Sequence, residues 1–427
     1  MIHHSLFSKT FVYLVFVSLP LLSYYLYVLS IRIFDLTISP SSDFGLILCG
    51  ARSFLENHLL SPYQICAGSN PLSGFLYPPL SILLLIPLAV LKYQNAYILL
   101  TILSLFVLAY IFIAMRTLAK EHWPSSKLGE LGLVCLIISL PSIMQTLGGG
   151  HLNLIILATF LLPLLLSNRH LPGVSGIIIA IGFWIKLYPA MIIAIFLLNK
   201  KFYITAIWSI FFILILALIG LIWIPLSLHI EYFTTFLPNL TSFTVPGHSE
   251  SIIAQIFFFN SGTEKMVWTI QEIPWDLRIF NNALLLFGLM LAILRLGYAV
   301  AINSTIMELE AVAILLLAIL LTSPLAWGHH FVLAIPAILL LLIELNKHIS
   351  LFKQLLIVLC WLSLAIPNWT LFPSILLELP GGSFAETLFY MRYALSAICM
   401  LGLLVARNFK NDVNYLINKC SSVLKVK

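Results

Sequence analysis

The chain is 427 residues long, 61% hydrophobic and only 9% charged, with a formal net charge of +6. Soluble domains carry about 25% charged residues, so the composition excludes a soluble enzyme and predicts an integral membrane protein. The positive excess is no nucleic-acid footprint: Lys and Arg sit in short loops and in a basic tail, 407–427, with Lys410, Lys419, Lys425 and Lys427, which fits the positive-inside rule and contact with anionic lipid headgroups.

The first apolar run, residues 11–30, is about 20 residues long and so able to cross a bilayer. No small-x-small cleavage site follows it, which predicts a retained anchor rather than a removed signal peptide. A polar segment, 31–78, comes next, with Ser41-Ser42-Asp43-Phe44, Arg52, Pro62-Tyr63 and Tyr77-Pro78-Pro79. Within it, Phe44, Ile47, Leu48, Ala51 and Leu55 form an apolar stripe at helical spacing, with Arg52 and Glu56 elsewhere around the turn. This predicts a helix over 44–60 lying in the bilayer interface, with Asp43 at its N-cap. Cys49 and Cys66 share the segment and can pair if it faces an oxidising compartment. Cys135, Cys360 and Cys399 lie in apolar runs, as small hydrophobic fillers.

Further apolar runs follow at 79–91, 96–115, 128–142, 152–167, 173–198 and 203–226. A second long polar segment, 227–279, includes a candidate surface helix at 249–259. The remaining runs are 280–300, 311–322, 330–345, 351–371 and 390–406. The expectation is an all-α polytopic fold of about twelve spans, forming one membrane-embedded unit over 1–427. Charge sets the orientation: Asn199-Lys200-Lys201, Asn346-Lys347-His348 and the tail are cytoplasmic, and the loops 31–76, 227–279, 323–329 and 372–389 lie on the other side. The same parity puts the loop 116–127, with Arg116, Lys120 and Lys127, outside, against the rule.

Several residues in this greasy chain are candidates for chemistry. Asp43 places a carboxylate at the bilayer surface, either as a helix cap or as a general base that removes a proton from an acceptor hydroxyl. Tyr77, before the rigid Pro78-Pro79 pair, starts a helix or walls a site. Gly148-Gly149-Gly150-His151-Leu152-Asn153 reads as a tight turn or a close approach of backbone, with no phosphate-loop spacing. Lys186 lies near the middle of a hydrophobic run, where a lysine costs about 2.5–3.5 kcal/mol. It is either a cation for a phosphate or a lysine that snorkels or pairs with a carboxylate. His329 and His330, after Trp327-Gly328, point about 100° apart, so joint chelation of a metal is not expected and a hydrogen bond to sugar or phosphate suits one of them. Arg52, Arg278 and Arg392 are further cations able to hold a phosphate. The outer loops contain no D-x-D pair or compact carboxylate cluster, so neither a metal nor another cofactor is expected.

These segments, in this order, resemble the membrane mannosyltransferases of glycosyltransferase family 87, in the GT-C superfamily. The resemblance rests on Ser42-Asp43-Phe44 with Pro62-Tyr63, on Tyr77-Pro78-Pro79 leading to Pro87-Leu88-Ala89, and on Gly150-His151-Leu152-Asn153. It continues through 173–189, ending in Ile185-Lys186 and Pro189, to Ser323-Pro324, Trp327 and His329-His330. His151 stands where the family usually has Gln. The resemblance implies a GT-C-type fold with amphipathic helices in the extracytoplasmic loops. It implies a polyprenyl-phosphate-sugar donor, commonly carrying mannose, a lipid or glycan acceptor, and inverting transfer with Asp43 as catalytic base. The expected location is the bacterial inner membrane with the site facing outward. Competing expectations are a transferase or ligase for another lipid-linked sugar, such as arabinose or glucose, and a lipid or sugar transporter. The transporter predicts inverted halves and paired midplane charges, neither of which is visible in the sequence.

Overall fold

In a computed structural model the structure describes residues 9–34, 42–56, 61–66, 74–245, 249–260, 270–345, 349–366 and 384–424. The turn 346–348, most of the loop 372–389 and the last three residues of the tail lie outside the described residues. The described chain is almost entirely helical. Six helices are long and apolar enough to cross a membrane: α1 (Lys9–Phe34), α5 (Tyr93–Leu118), α11 (Tyr203–Gly220), α15 (Trp275–Ala301), α16 (Thr305–Thr322) and α19 (Phe384–Leu424). A seventh is the pair α6 (Lys127–Ile138) and α7 (Pro141–Gly149), bent by 59° at Pro141. Shorter apolar helices run beside them: α8 (Asn153–Asn168), α9 (Pro172–Ile185), α17 (Ile335–Glu344), entered by a 3-10 helix over Gly328–Ala334, and α18 (Leu351–Ala365). Of the about twelve spans expected, six or seven are long and apolar enough to cross among the described residues. The other runs form shorter helices, and the run 173–198 is broken in two.

α16 is the centre. Every residue from Ile306 to Thr322 is buried, whereas α5, α11 and α15 expose Phe106, Tyr110, Phe211, Leu214, Leu286 and Phe287. A helix apolar all round and enclosed by others is a core helix, and its neighbours turn their apolar outer faces to lipid.

Two breaks reshape the path read from the sequence. The run 79–91 holds only α4 (Ser81–Ala89), about 14 Å long. Arg52 of α2 (Ser42–Glu56) donates to the carbonyls of Ala89 and Leu91 at 3.1 and 2.9 Å, capping the end of α4. α4 thus begins and ends beside α2, and α5 starts from that end of the bundle. At the far end of α5, the Leu118 carbonyl accepts from Thr305 at 2.8 Å. The loop 116–127 consequently lies with the other basic loops, and the exception to the charge rule disappears. The run 173–198 is two helices, α9 and α10 (Ala190–Leu197), and Lys186 sits at the break between them rather than within one continuous helix.

The basic end is closed by buried ion pairs. Arg295 meets Glu310 at 2.5 Å and Asp412 at 2.9 Å. Arg407 meets Glu310 at 2.6 Å and Glu344 at 2.9 Å, and Lys353 meets Glu344 at 2.6 Å. Arg295 and Glu310 are fully buried. Nearby, Glu308 accepts from Asn168 and pairs with Lys201. Together these contacts tie α8, α15, α16, α17, α18, α19 and the turn before α11 at one level.

Two expectations for the polar segments change. The stripe Phe44, Ile47, Leu48 and Ala51 is buried in protein, not laid on the bilayer, and Leu55 is exposed; residues 57–60 of the expected helix lie outside the described residues. The second segment forms α14 (Ile252–Asn260), with Ile253, Ala254 and Gln255 buried, and a two-residue antiparallel pairing of Phe243–Thr244 with Gln271–Glu272. Cys49 and Cys66 form a disulfide, with Cα atoms 5.9 Å apart, that joins α2 to α3 (Pro62–Ile65).

Removing one member of a buried ion network strands its partners in low dielectric. Arg295→Met is expected to lower stability by about 3–5 kcal/mol, measured as a fall in the unfolding temperature of the detergent-solubilised protein.

Candidate active site

The site lies at the end of the bundle opposite the ion network, where α2, the α7–α8 turn, the α9–α10 break and the 3-10 helix over Gly328–Ala334 converge. Asp43 is the second residue of α2, in its first turn and inside the helix rather than at the N-cap expected from sequence. The helix dipole favours an anion there. Its neighbour Phe44 anchors the helix start, fully buried and edge-on to Tyr93 and Tyr97 at 5.1 and 5.7 Å.

The glycine triplet builds the next piece. Gly150 ends α7 in the left-handed conformation (φ 65°), and a Cβ there would lie 2.7 Å from the Phe44 ring. A Cβ on Gly149 would overlap the His151 imidazole. The two glycines thus let α2 and His151 close onto the same turn. His151 Nε2 lies 3.5 Å from Asp43 Oδ2, and its ring stacks on His329 with centroids 3.7 Å apart and planes 9° apart.

Beyond the stack lies a hydrogen-bonded cluster. Asn153 Nδ2 and Thr146 Oγ1 both donate to the His329 carbonyl, at 3.2 and 3.1 Å. Lys186 Nζ donates to Asn153 Oδ1 at 2.8 Å and contacts His330 Nε2 at 3.0 Å. The Trp327 amide donates to His330 Nδ1 at 2.9 Å. Tyr188 bonds Ser323 through their hydroxyls at 3.0 Å, its ring 5.9 Å from Lys186 Nζ. Tyr77 borders the same space. Its carbonyl accepts from Tyr63 at 2.8 Å, and burial, then nearby Asp43 and Tyr188, raise its phenol above the usual value.

The electrostatics of the first pair are lopsided. Burial raises the Asp43 carboxyl above its ordinary value. Burial pushes the His151 imidazole down to about 3, so His151 is neutral in the physiological range. Asp43 therefore faces a neutral neighbour, which leaves the carboxylate basic.

Of the residues picked from sequence, Asp43, Tyr77, His151, Asn153, Lys186, His329 and His330 come together. The three arginines do not join them. Arg52 lies nine residues after Asp43 along α2, about 13 Å away, and holds the end of α4. Arg392 donates to the Ile366 carbonyl at 3.4 Å and stacks on Tyr393. Arg278 borders a separate cavity of about 100 Å³ with Ser242, Asn281 and Asn282, and pairs with Glu272 at 3.0 Å. Thr146 and Tyr188 were missed as site residues. Tyr188 carried a signal, two positions after Lys186; Thr146, five positions before His151 in α7, carried none.

A sequence profile described as glycosyltransferase family 87 matches residues 75–325. The chain belongs to glycosyltransferase family 87. Searches of curated proteins and of solved structures found no match. As a family 87 glycosyltransferase, the protein has Tyr77, His151, Asn153 and Lys186 inside the matched segment, and Asp43, His329 and His330 outside it. The fold joins the two sets through the Asp43–His151 contact and the histidine stack.

Gly149→Ala tests that junction. The added methyl displaces the His151 ring from Asp43, with an overpacking cost of about 1–3 kcal/mol. A fall in sugar-transfer rate larger than the fall in thermal stability accounts for is the expected result. Unchanged transfer would show that the position of His151 does not matter.

Proposed function

We propose that this glycosyltransferase moves a sugar, mannose first among candidates, from a polyprenyl-phosphate donor to a hydroxyl of a lipid or glycan acceptor. The reaction takes place at the extracytoplasmic face of the bacterial inner membrane, in one membrane-embedded unit of GT-C type, and inverts the anomeric centre. The observation that carries this reading is the division of the site into two halves. A half-buried carboxylate, Asp43, contacts His151 at one end of the His151–His329 stack, and a cluster of nitrogen donors, Lys186, Asn153 and His330, gathers next to His329 at the other. One half suits an acceptor that loses a proton, the other a phosphate that gains charge.

In the proposed step Asp43 takes the proton of the acceptor hydroxyl. The oxygen forms a bond to the anomeric carbon as the bond from that carbon to the phosphate oxygen breaks, and polyprenyl phosphate leaves with the electron pair. Lys186 and His330 stabilise the leaving phosphate by hydrogen bonds aimed at developing charge. Tyr77 and Tyr188 wall the space in which the sugar ring sits. A lipid-borne donor suits a site at one end of an apolar bundle, because its tail remains in the bilayer beside the helices. The charge distribution supports this sidedness: the loops 116–127 and 199–201 and the tail are basic and lie opposite the site.

Asp43→Asn removes the base and keeps the shape. With radiolabelled polyprenyl-phosphate mannose and a mixed lipid extract, transfer is expected to fall by about 10²–10⁴. Equal rates in wild type and variant would remove Asp43 from this role.

The acid limb of the pH profile is a second test. Asp43 works as a base only when ionised, and burial raises its value. The rate is thus expected to fall with decreasing pH above the ordinary carboxylate range. His151→Gln should keep that limb, because His151 is neutral throughout it. A limb that vanishes in His151→Gln would assign it to the histidine instead.

A further inference from the structure

The hydrogen bonds around His330 set the protonation state of Lys186. A backbone N–H can only donate, so the Trp327 amide, 2.9 Å from His330 Nδ1, meets a lone pair. Nδ1 is then unprotonated, which rules out the imidazolium and puts the single ring proton on Nε2. Nε2 faces Lys186 Nζ at 3.0 Å. An ammonium has three N–H bonds and no lone pair, and would confront Nε2–H donor to donor. An amine accepts from Nε2–H and still donates to Asn153 Oδ1 at 2.8 Å. Asn153 Oδ1 is fixed as the acceptor because Nδ2 of the same amide donates to the His329 carbonyl. Turning the His330 ring over would set carbons against both Trp327 N and Lys186 Nζ and lose both contacts, so the network itself decides the orientation.

The surroundings agree. Facing Lys186 are Asn153 from α8, His329 and His330 from the 3-10 helix, neutral His151 from the α7–α8 turn, and the Tyr188 ring. Asp43 of α2 contacts His151, 3.5 Å from its Nε2. Among the described residues no carboxylate lies within ion-pair distance of Lys186.

We propose that Lys186 rests as a neutral amine and becomes an ammonium only when a phosphodiester occupies the site, so that donor binding takes up one proton. The inference rests on the lipid-phosphate donor reading above. The phosphodiester brings one negative charge and no proton of its own near neutrality. Lys186 takes a proton from solvent and donates to a phosphate oxygen while keeping its bond to Asn153. His330 Nε2–H, released from the amine, donates to a second phosphate oxygen. Two groups that satisfy each other at rest thus become two donors for the anion. When the phosphate product leaves, the Lys186–His330 pairing re-forms and the proton returns to solvent.

The direct test is ¹⁵N NMR of the full chain, labelled at lysine Nζ, in lipid bilayers near pH 8, where ordinary lysines with pKa about 10.4 stay charged. A neutral-amine resonance is expected in wild type and not in Lys186→Arg, with Lys186→Met as a second assignment variant if the arginine does not fold. Adding undecaprenyl-phosphoryl mannose should convert it to an ammonium resonance. Donor Kd should rise about tenfold per pH unit above neutrality in wild type and stay flat in Lys186→Arg. Ammonium resonances alone in the resting wild type overturn the proposal, as does an amine resonance that saturating donor leaves unchanged. A donor that neither binds nor reacts overturns the lipid-phosphate reading and the proton uptake with it. The first spectrum, taken without donor, still decides the resting state, so the two failures are told apart.

Discussion

The side chain of Asn153 is the point on which the site end depends. Its amide nitrogen holds the His329 carbonyl and its amide oxygen receives Lys186, so one residue at the start of α8 joins the α9–α10 break to the turn that follows α16. Those segments lie 33 and 176 residues from Asn153 along the chain. Each carries backbone outside regular helix, where the polar groups need partners before they can sit among apolar helices. Thr146 adds a second donor to the same carbonyl. The irregular end of the bundle is thereby held by side-chain hydrogen bonds, where the regular end is held by ion pairs.

The glycines act on the other half of the same junction. Gly150 permits the left-handed turn, and both Gly149 and Gly150 lack a side chain where His151 and Phe44 must approach. Gly50, two turns along α2, does likewise for Phe75, just before Tyr77. Asp43 and Tyr77 therefore reach the site because bare backbone elsewhere lets α2 and Phe75 sit close. The Cys49–Cys66 disulfide fixes α2 to α3 from the opposite direction.

The sequence made the helical, membrane-crossing character legible, and most of the site with it. A carboxylate, a lysine and paired histidines in so apolar a chain stand out because burying them is costly unless they are partnered. The path was less legible. Hydropathy cannot separate a span from a short helix that turns back, and α4 and the α9–α10 pair are apolar throughout. Reading 79–91 as a crossing inverted the loop 116–127; the charges of Arg116, Lys120 and Lys127 were the better guide. The arginines misled for a related reason. A cation on the right face is equally suited to a phosphate and to a helix C-terminus, and only the carbonyls of Ala89 and Leu91 show that Arg52 serves the second purpose. The stripe of α2 has the period of an amphipathic helix, which is the same whether the apolar face meets lipid or protein.

The two ends of the bundle differ in how they settle charge. At the basic end Arg295, Arg407 and Lys353 are matched by Glu310, Glu344 and Asp412, each within ion-pair distance of an opposite charge. At the site end Asp43 meets a neutral imidazole, and Lys186 is satisfied by an amide and an imidazole. Had the two ends obeyed one rule, Asp43 and Lys186 would pair directly and cancel. They are linked through the His151–His329 stack instead, Asp43 at His151 and Lys186 at Asn153 and His330. Direct pairing would lower the basicity of the carboxylate and use up the lysine's affinity for anions. The stack keeps the two groups in one site while leaving each available to a different part of a reaction: a base that needs a proton and a nitrogen that needs an anion. That separation uses neutral, buried, closely stacked rings, and the bare backbone at Gly149 gives one of those rings room to lie where it does.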